Sequence, residues 1–168
     1  RQMCIRDSFS NGDEVELIQN GTSVGKLTSG TRLAADLPHS FLFDLTYLPG
    51  TLEAVSYKDG KEISRDTLVT TGPAKELRLI QEKKELSANG HEVAYVRVEI
   101  VDENGIVVPD AALKLSAAVE GVGSLAAFGS SNPITDENYT SGTFTSYHGT
   151  ATAIIRSGYQ TGMCTLTV

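Results

Sequence analysis

The sequence predicts an all-β chain of antiparallel sheets, and three observations carry that prediction. Thr (17), Val (13) and Ile (9) make up 39 of the 168 residues. Such β-branched side chains lose rotamer freedom in a helix and pack well on a pleated surface. The dipeptides Asn20-Gly21, Asp59-Gly60 and Asn104-Gly105 each lie between segments that read as strands, and type I′ turns need the positive φ that these residues tolerate. Residues 94–101 alternate, with Ala94, Val96, Val98 and Ile100 on one face and Tyr95, Arg97 and Glu99 on the other. That is the period of a half-buried antiparallel strand.

Met3-Cys4-Ile5-Arg6-Asp7-Ser8 resembles the translation of a transposase adaptor used in sequencing libraries. Residues 1–7 are therefore expected to be non-native and are set aside like a tag; the alternative is an ordinary first strand. Setting them aside removes Cys4 and leaves Cys164 as a lone thiol, with no intrachain disulfide expected. No CxxC or Cys/His cluster offers a structural zinc site.

Residues 15–19 should pair with 23–27 across the first turn, and 51–58 with 62–69 across the second. Gly72-Pro73 stops a strand ladder, which sets a boundary between a first module, 8–72, and a second, 73–168. Residues 74–86 are rich in helix formers, but a stripe from Leu77 and Ile80 meets Gln81 and Lys84 within a turn. Leu77 and Leu79, then Leu86 and Ala88, fit two short strands with a polar turn instead. Later strands are expected at 113–119, 151–156 and 163–168. Between them, residues 121–149 are rich in Gly, Ser, Asn and Thr and read as too polar for regular core structure. The expected core of the second module is Val96, Val98, Ile100, Leu113, Leu115, Ile154 and Leu166.

Composition excludes several function classes. Hydrophobic residues at 40% with charged residues at 21% describe a globular chain and not a disordered one. The formal charge is −7, from 14 Lys+Arg against 21 Asp+Glu. Neither half carries the basic footprint that phosphate neutralisation needs, so no nucleic-acid partner is expected. No run reaches the ~18 apolar residues of a membrane helix.

Motif matches fail on their surroundings. Gly21-Thr22-Ser23-Val24-Gly25 fits the nucleophile elbow, which needs a strand, a strained turn and a helix. Here it opens inside a hairpin. Gly121-Val122-Gly123-Ser124-Leu125-Ala126 fits a dinucleotide fingerprint, but Gly129 follows too soon for the helix that would hold pyrophosphate. His39, His91 and His148 stand alone. Asp102-Glu103-Asn104 and Asp136-Glu137-Asn138 could help hold calcium, yet read better as solvated turns. Asn20-Gly21-Thr22 and Asn138-Tyr139-Thr140 are glycosylation sequons, meaningful only in a eukaryotic secretory host. No catalytic, cofactor-binding or metal-ligating residue is assigned, and no cofactor is expected.

The hairpin Val15-Glu-Leu-Ile-Gln-Asn-Gly-Thr-Ser-Val-Gly25 resembles one in the C-terminal region of glycoside hydrolase family 2 enzymes of the β-galactosidase type. The likeness continues through Phe43-Asp-Leu-Thr-Tyr-Leu-Pro-Gly-Thr-Leu-Glu-Ala-Val55 and Gly60-Lys-Glu62. It resumes at Leu86-Ser-Ala-Asn-Gly90, Tyr95-Val-Arg-Val-Glu-Ile-Val-Asp-Glu-Asn-Gly105 and Val108-Pro-Asp-Ala111. Leu125-Ala-Ala-Phe-Gly-Ser-Ser-Asn-Pro133 and Tyr147-His-Gly149 match a loop and return strand of such enzymes from gut Bacteroidetes. Ile18 departs from the usual Phe. The strands normally found before Asp13 and after Val168 are missing from the pattern.

The resemblance implies two consecutive small Ig-like antiparallel β-sandwich domains, both truncated, downstream of a catalytic barrel. A retaining enzyme of this kind uses two glutamates on a (β/α)₈ barrel of about 250 residues. This chain has neither that length nor the helices, and none of its asparagines precedes Glu, the family's acid/base dipeptide. The parent is therefore expected to be a periplasmic or secreted hydrolase of O-glycosidic bonds, and this region inert. Its expected partners are the barrel and other domains of the parent, with no membrane and with room for homo-oligomer contacts. The region is expected to carry no export signal of its own. The rival reading is tandem bacterial Ig-like domains of a surface adhesin, which fits residues 102–111 equally well. A sugar-binding module is weaker, because the chain has no Trp and only 7% aromatic residues for stacking on sugars.

Overall fold

The computed structural model describes residues 3–29 and 39–168, and the chain divides into two compact units, Arg1–Thr70 and Thr71–Val168. The described residues form strands and no helix. In the first unit these are β1 (Met3–Phe9), β2 (Glu14–Gln19), β3 (Thr22–Thr28), β4 (Ser40–Thr46), β5 (Thr51–Lys58) and β6 (Lys61–Val69). One sheet has the order β3-β2-β5-β6, and β1 pairs with β4 in a second.

Both hairpins of the larger sheet turn where the sequence places them. Gln19 pairs with Thr22 and Lys58 with Lys61. Asn20 and Gly21 have φ of 51° and 79°, and Asp59 and Gly60 have 50° and 73°, the left-handed pair of a type I′ turn. Register then follows the period of two. Val15, Leu17 and Gln19 are buried, and Val15 and Leu17 pack with Phe41, Phe43 and Leu45 of β4 between the sheets. Gln19 is the polar member, and its Nε2 donates to the Thr46 carbonyl at 3.1 Å, which satisfies a buried amide.

The first turn is tied down from its side chain as well. Asn20 accepts from the Thr51 amide at 2.7 Å and donates to the Pro49 carbonyl at 2.9 Å. Gly50 lies under that amide with φ 127°. Any Cβ there would collide with Asn20, so only glycine allows this close approach. One expectation is corrected here. A strand does precede Asp13: β1 runs antiparallel to β4 from Met3↔Thr46 to Phe9↔Ser40, because residues 3–9 complete the ladder that β4 would otherwise lack. The side chain of Cys4 lies outside the described residues; Cys164 is an exposed free thiol.

The second unit contains β7 (Glu76–Gln81), β8 (Val93–Val101), β9 (Lys114–Ser116), β10 (Ala118–Gly121), β11 (Ser124–Gly129), β12 (Thr143–Thr145), β13 (Thr150–Arg156) and β14 (Cys164–Thr167). Its main sheet has the order β11-β13-β8-β7, with β12-β9 and β10-β14 as two-stranded sheets. Ala94, Val96, Val98 and Ile100 are buried, as the alternation requires.

Five expectations change in this unit. Residues 86–88 form no strand. Glu92 captures the Ser87 amide at 2.7 Å and the Lys83 ammonium at 3.0 Å, and Asn89 takes the amides of His91 and Glu92, so side chains compete successfully with a ladder. The strand expected at 113–119 splits at Ala117, whose amide turns to the Gly142 carbonyl, and β9 and β10 join different sheets. The polar stretch 121–149 holds β11 and β12, which supply the fully buried Phe128 and Phe144.

The fourth change concerns the core. Val96, Val98, Ile100 and Leu115 are buried, and Leu166 packs against the cluster partly buried. Leu113 is 46% exposed, and Ile155 replaces Ile154 as the inward side chain. Ala151↔Val98 and Ala153↔Val96 set the inward face of β13, so Ile154 shares the outer face with Tyr95. A one-residue choice between adjacent isoleucines swaps the faces.

The turn at Asn104-Gly105 is also not of type I′. Only Gly105 has positive φ, at 74°, and its amide donates to the Asp102 carbonyl. The buried Asp102 carboxylate accepts the amides of Asn104 and Ile106 on Oδ1, both at 2.9 Å, and of Gly72 on Oδ2 at 2.8 Å. Those donors, Gly72 first, hold its pKa below the usual carboxylate value.

Phe128→Ala should cost about 3–5 kcal/mol in chemical denaturation, because its ring fills the centre of the second core. The Ser87 amide, then the Ser87 hydroxyl and Lys83, hold the pKa of Glu92 down to about 2. Depressed carboxylates stabilise the folded state fully above the unfolded value of about 4.3, and that stabilisation is lost as pH falls towards the folded pKa. The thermal midpoint should therefore drop between about pH 5 and pH 2. Glu92→Gln and Asp102→Asn should each lower it at pH 7 and flatten the acid-side slope.

Candidate functional site

A group of ionisable side chains lies on the outer face of the β3-β2-β5-β6 sheet. Antiparallel register brings Glu14, Glu16, Lys26, Tyr57, Glu53, Glu62 and Arg65 onto that face. Lys26 pairs with Glu14 at 2.6 Å and lies 4.3 Å from the centre of the Tyr57 ring. The Tyr57 hydroxyl donates to Glu16 at 3.1 Å, and Arg65 bridges Glu53 and Glu62. Beneath them Val55, paired with Glu16 and Arg65, is fully buried although it faces away from the core. The charged side chains roof it with their aliphatic stems and the Tyr57 ring.

The protonation pattern follows from these contacts. Hydrogen bonds from Ser23 and then Tyr57 lower the pKa of Glu16. Burial, then the bond to Glu16, raises that of Tyr57, and the bond to Glu14 raises that of Lys26. Each group is thereby fixed in its ordinary state at neutral pH. A general acid needs a carboxyl raised towards neutrality, and a retaining glycosidase needs a second carboxylate about 5–5.5 Å away. The carboxylates that move here, Glu16, Glu92 and Asp102, all move down.

The second unit repeats this use of charge. Glu99 is only 5% exposed, and Arg78 grips its Oε2 through two nitrogens at 2.8 and 2.6 Å while Arg97 meets Oε1 at 2.9 Å. Such forked pairing is what allows a carboxylate to be buried. Arg78 also donates to the Gly105 carbonyl at 2.8 Å, joining the strand to the Asp102 turn.

The motif matches are absorbed by the fold. Ser23 lies near the start of strand β3, which continues to Thr28 where the motif would need a helix, and its hydroxyl serves Glu16. Gly121 ends β10 and Ser124 opens β11, so the dinucleotide-like glycines make a strand crossing. His39 and His148 have φ of 73° and 50° and serve as turn residues; His148-Gly149 closes a tight turn between Tyr147 and Thr150. That turn was hidden in the sequence because His is not an expected partner of Gly there. The amide of His91 donates to Asn89.

The acidic clusters are occupied by protein donors. Asp102 holds its turn as described, and Glu137 accepts from the Thr145 amide at 3.1 Å and the Thr145 hydroxyl at 3.0 Å. Among the described residues no three His, Cys, Asp or Glu side chains converge. Of the sequons, Asn20 has its amide nitrogen committed to Pro49.

Comparison with known proteins assigns the chain. Residues 77–168 match the glycoside hydrolase family 2 C-terminal domain 5, and residues 8–64 match a domain of unknown function, DUF4982. The β-galactosidase BoGH2A of Bacteroides ovatus is 29% identical over 159 residues, which is 95% of this chain and 18% of that protein. A β-galactosidase of Thermoanaerobacter pseudethanolicus is 34% identical over 140 residues, or 77% of this chain and 18% of its own length. The crystal structure of a family 2 member from Bacteroides cellulosilyticus superposes with a TM-score of 0.90 at 29% identity, covering 96% of this chain and 22% of that one. The chain thus spans about a fifth of the relatives it matches, and the adhesin reading is not favoured. With residues 77–168, more than half of it, matched by that C-terminal domain, the chain belongs to glycoside hydrolase family 2.

Proposed function

We propose that these 168 residues are a non-catalytic, C-terminal accessory region of a retaining β-galactosidase-type hydrolase, and that hydrolysis is carried out by a barrel elsewhere in the parent polypeptide. The observation that carries this reading is the extent of the match: 95% of this chain aligns with 18% of a β-galactosidase. The electrostatics support it, because the ionisable groups act as a roof, a strand clamp and two turn caps. The role is architectural. The modules space and pack against other domains of the parent, and they provide surface for contacts between copies.

The 168-residue chain should give no turnover of chromogenic galactosides above buffer, whereas the complete parent should hydrolyse them. Hydrolysis by the short chain that disappears on a single Glu→Gln change at any of its glutamates would overturn the proposal. So would a recovered gene encoding tandem β-sandwich repeats and no barrel.

A further inference from the structure

In the first unit, among the described residues, the two-stranded sheet of β1 and β4 covers only part of the four-stranded sheet opposite. Val15 and Leu17 on β2 are buried beneath it. On the next strands the same inward face opens: Leu52 and Ala54 are half-buried, and Leu68 on β6 is 57% exposed. The result is a groove of about 370 Å³. Its floor is Leu17, Leu52 and Ala54, and its far wall is Ser64, Asp66 and Leu68 of β6.

We infer that this groove is the docking site for an extended segment of the parent polypeptide lying outside these 168 residues, laid as a strand across the inner face of β5 and β6. Three observations select that occupant. First, the uncovered strip is two strands wide, roughly 10 Å at about 4.8 Å per strand. That suits an extended chain and is narrow for a helix, whose diameter with side chains is about 10–12 Å. Second, the floor is apolar at alternate positions, since Leu52↔Leu68 and Ala54↔Asp66 are the inward pairs. An alternating strand would meet this face with one side only.

The third observation is charge. Asp66 lies at an inward position, and its carboxylate accepts the Thr67 amide at 2.9 Å. Among the described residues no cation pairs with it. Arg65, the neighbouring base, is committed to Glu53 and Glu62. An inward charge on an edge strand discourages indiscriminate pairing, so it favours an occupant that brings a Lys or Arg to that point. The inference rests on the reading of the chain as one region of a longer hydrolase. Relatives about five times its length leave most of the polypeptide available as donor.

Leu68→Cys and, as a second reporter, Ser64→Cys would be introduced into both the 168-residue chain and the complete parent. Labelling by a maleimide at each position would be followed by peptide mass spectrometry. Both positions should label freely in the short chain and at least about tenfold more slowly in the parent, as expected for a site exposed only by local opening. Asp66→Lys in the parent should restore fast labelling at Leu68→Cys, because two cations would then face each other. Equal rates in the short chain and the parent would overturn the inference. So would labelling in the short chain that slows as its concentration rises, which would assign the groove to a second copy. Galactoside hydrolysis by the parent is measured separately, so a failed docking site and a failed hydrolase assignment give different results.

Discussion

Strand register is the constraint on which the rest of this structure depends. Side chains alternate between faces with a period of two, so a slip of one residue would turn every core side chain to solvent. In the first unit two type I′ turns, at Asn20-Gly21 and Asp59-Gly60, remove that freedom by fixing which residues pair. Asn20 adds a second lock by bonding to both Pro49 and Thr51 across the β4–β5 connection. Once these are set, Val15 and Leu17 have nowhere to point except at Phe41 and Phe43.

The second unit solves the same problem with a carboxylate. Asp102 gathers three backbone amides, one of them from Gly72, thirty residues earlier in the chain. It therefore fixes both the turn after β8 and the approach to β7, the strand that β8 pairs with. Arg78 on β7 closes the arrangement by reaching the Gly105 carbonyl and Glu99. Charge in this protein is spent on geometry. The hydrogen bonds that set this geometry also keep Glu16, Glu92 and Asp102 ionised and Lys26 protonated.

Among the described residues the two sheets of the first unit are unequal, four strands against two. A sandwich closes when both faces are covered. Here half of one face keeps an apolar floor and an inward aspartate. In the docking inferred above, a segment of the parent polypeptide covers this face.

The sequence by itself determined the strands whose signals are local. Asx-Gly turns placed both hairpins of the first unit, and strict alternation placed β8 with Val96, Val98 and Ile100 inward. The family was legible in the hairpin at residues 15–25 and the run at residues 43–55. Tertiary structure decided what local signals leave balanced. Residues 121–149 look too polar for a core, yet packing selects Phe128 and Phe144 and buries each on a strand of six residues or fewer. Ile154 and Ile155 are equivalent in sequence, and only the pairing of Ala151 and Ala153 with β8 sends one inward. Residues 86–88 could have formed a strand, but Glu92 and Asn89 took the backbone amides first. The roof over Val55 and the clamp on Glu99 join residues distant in sequence. Their partners become neighbours only when the sheets form, and no local pattern encodes that.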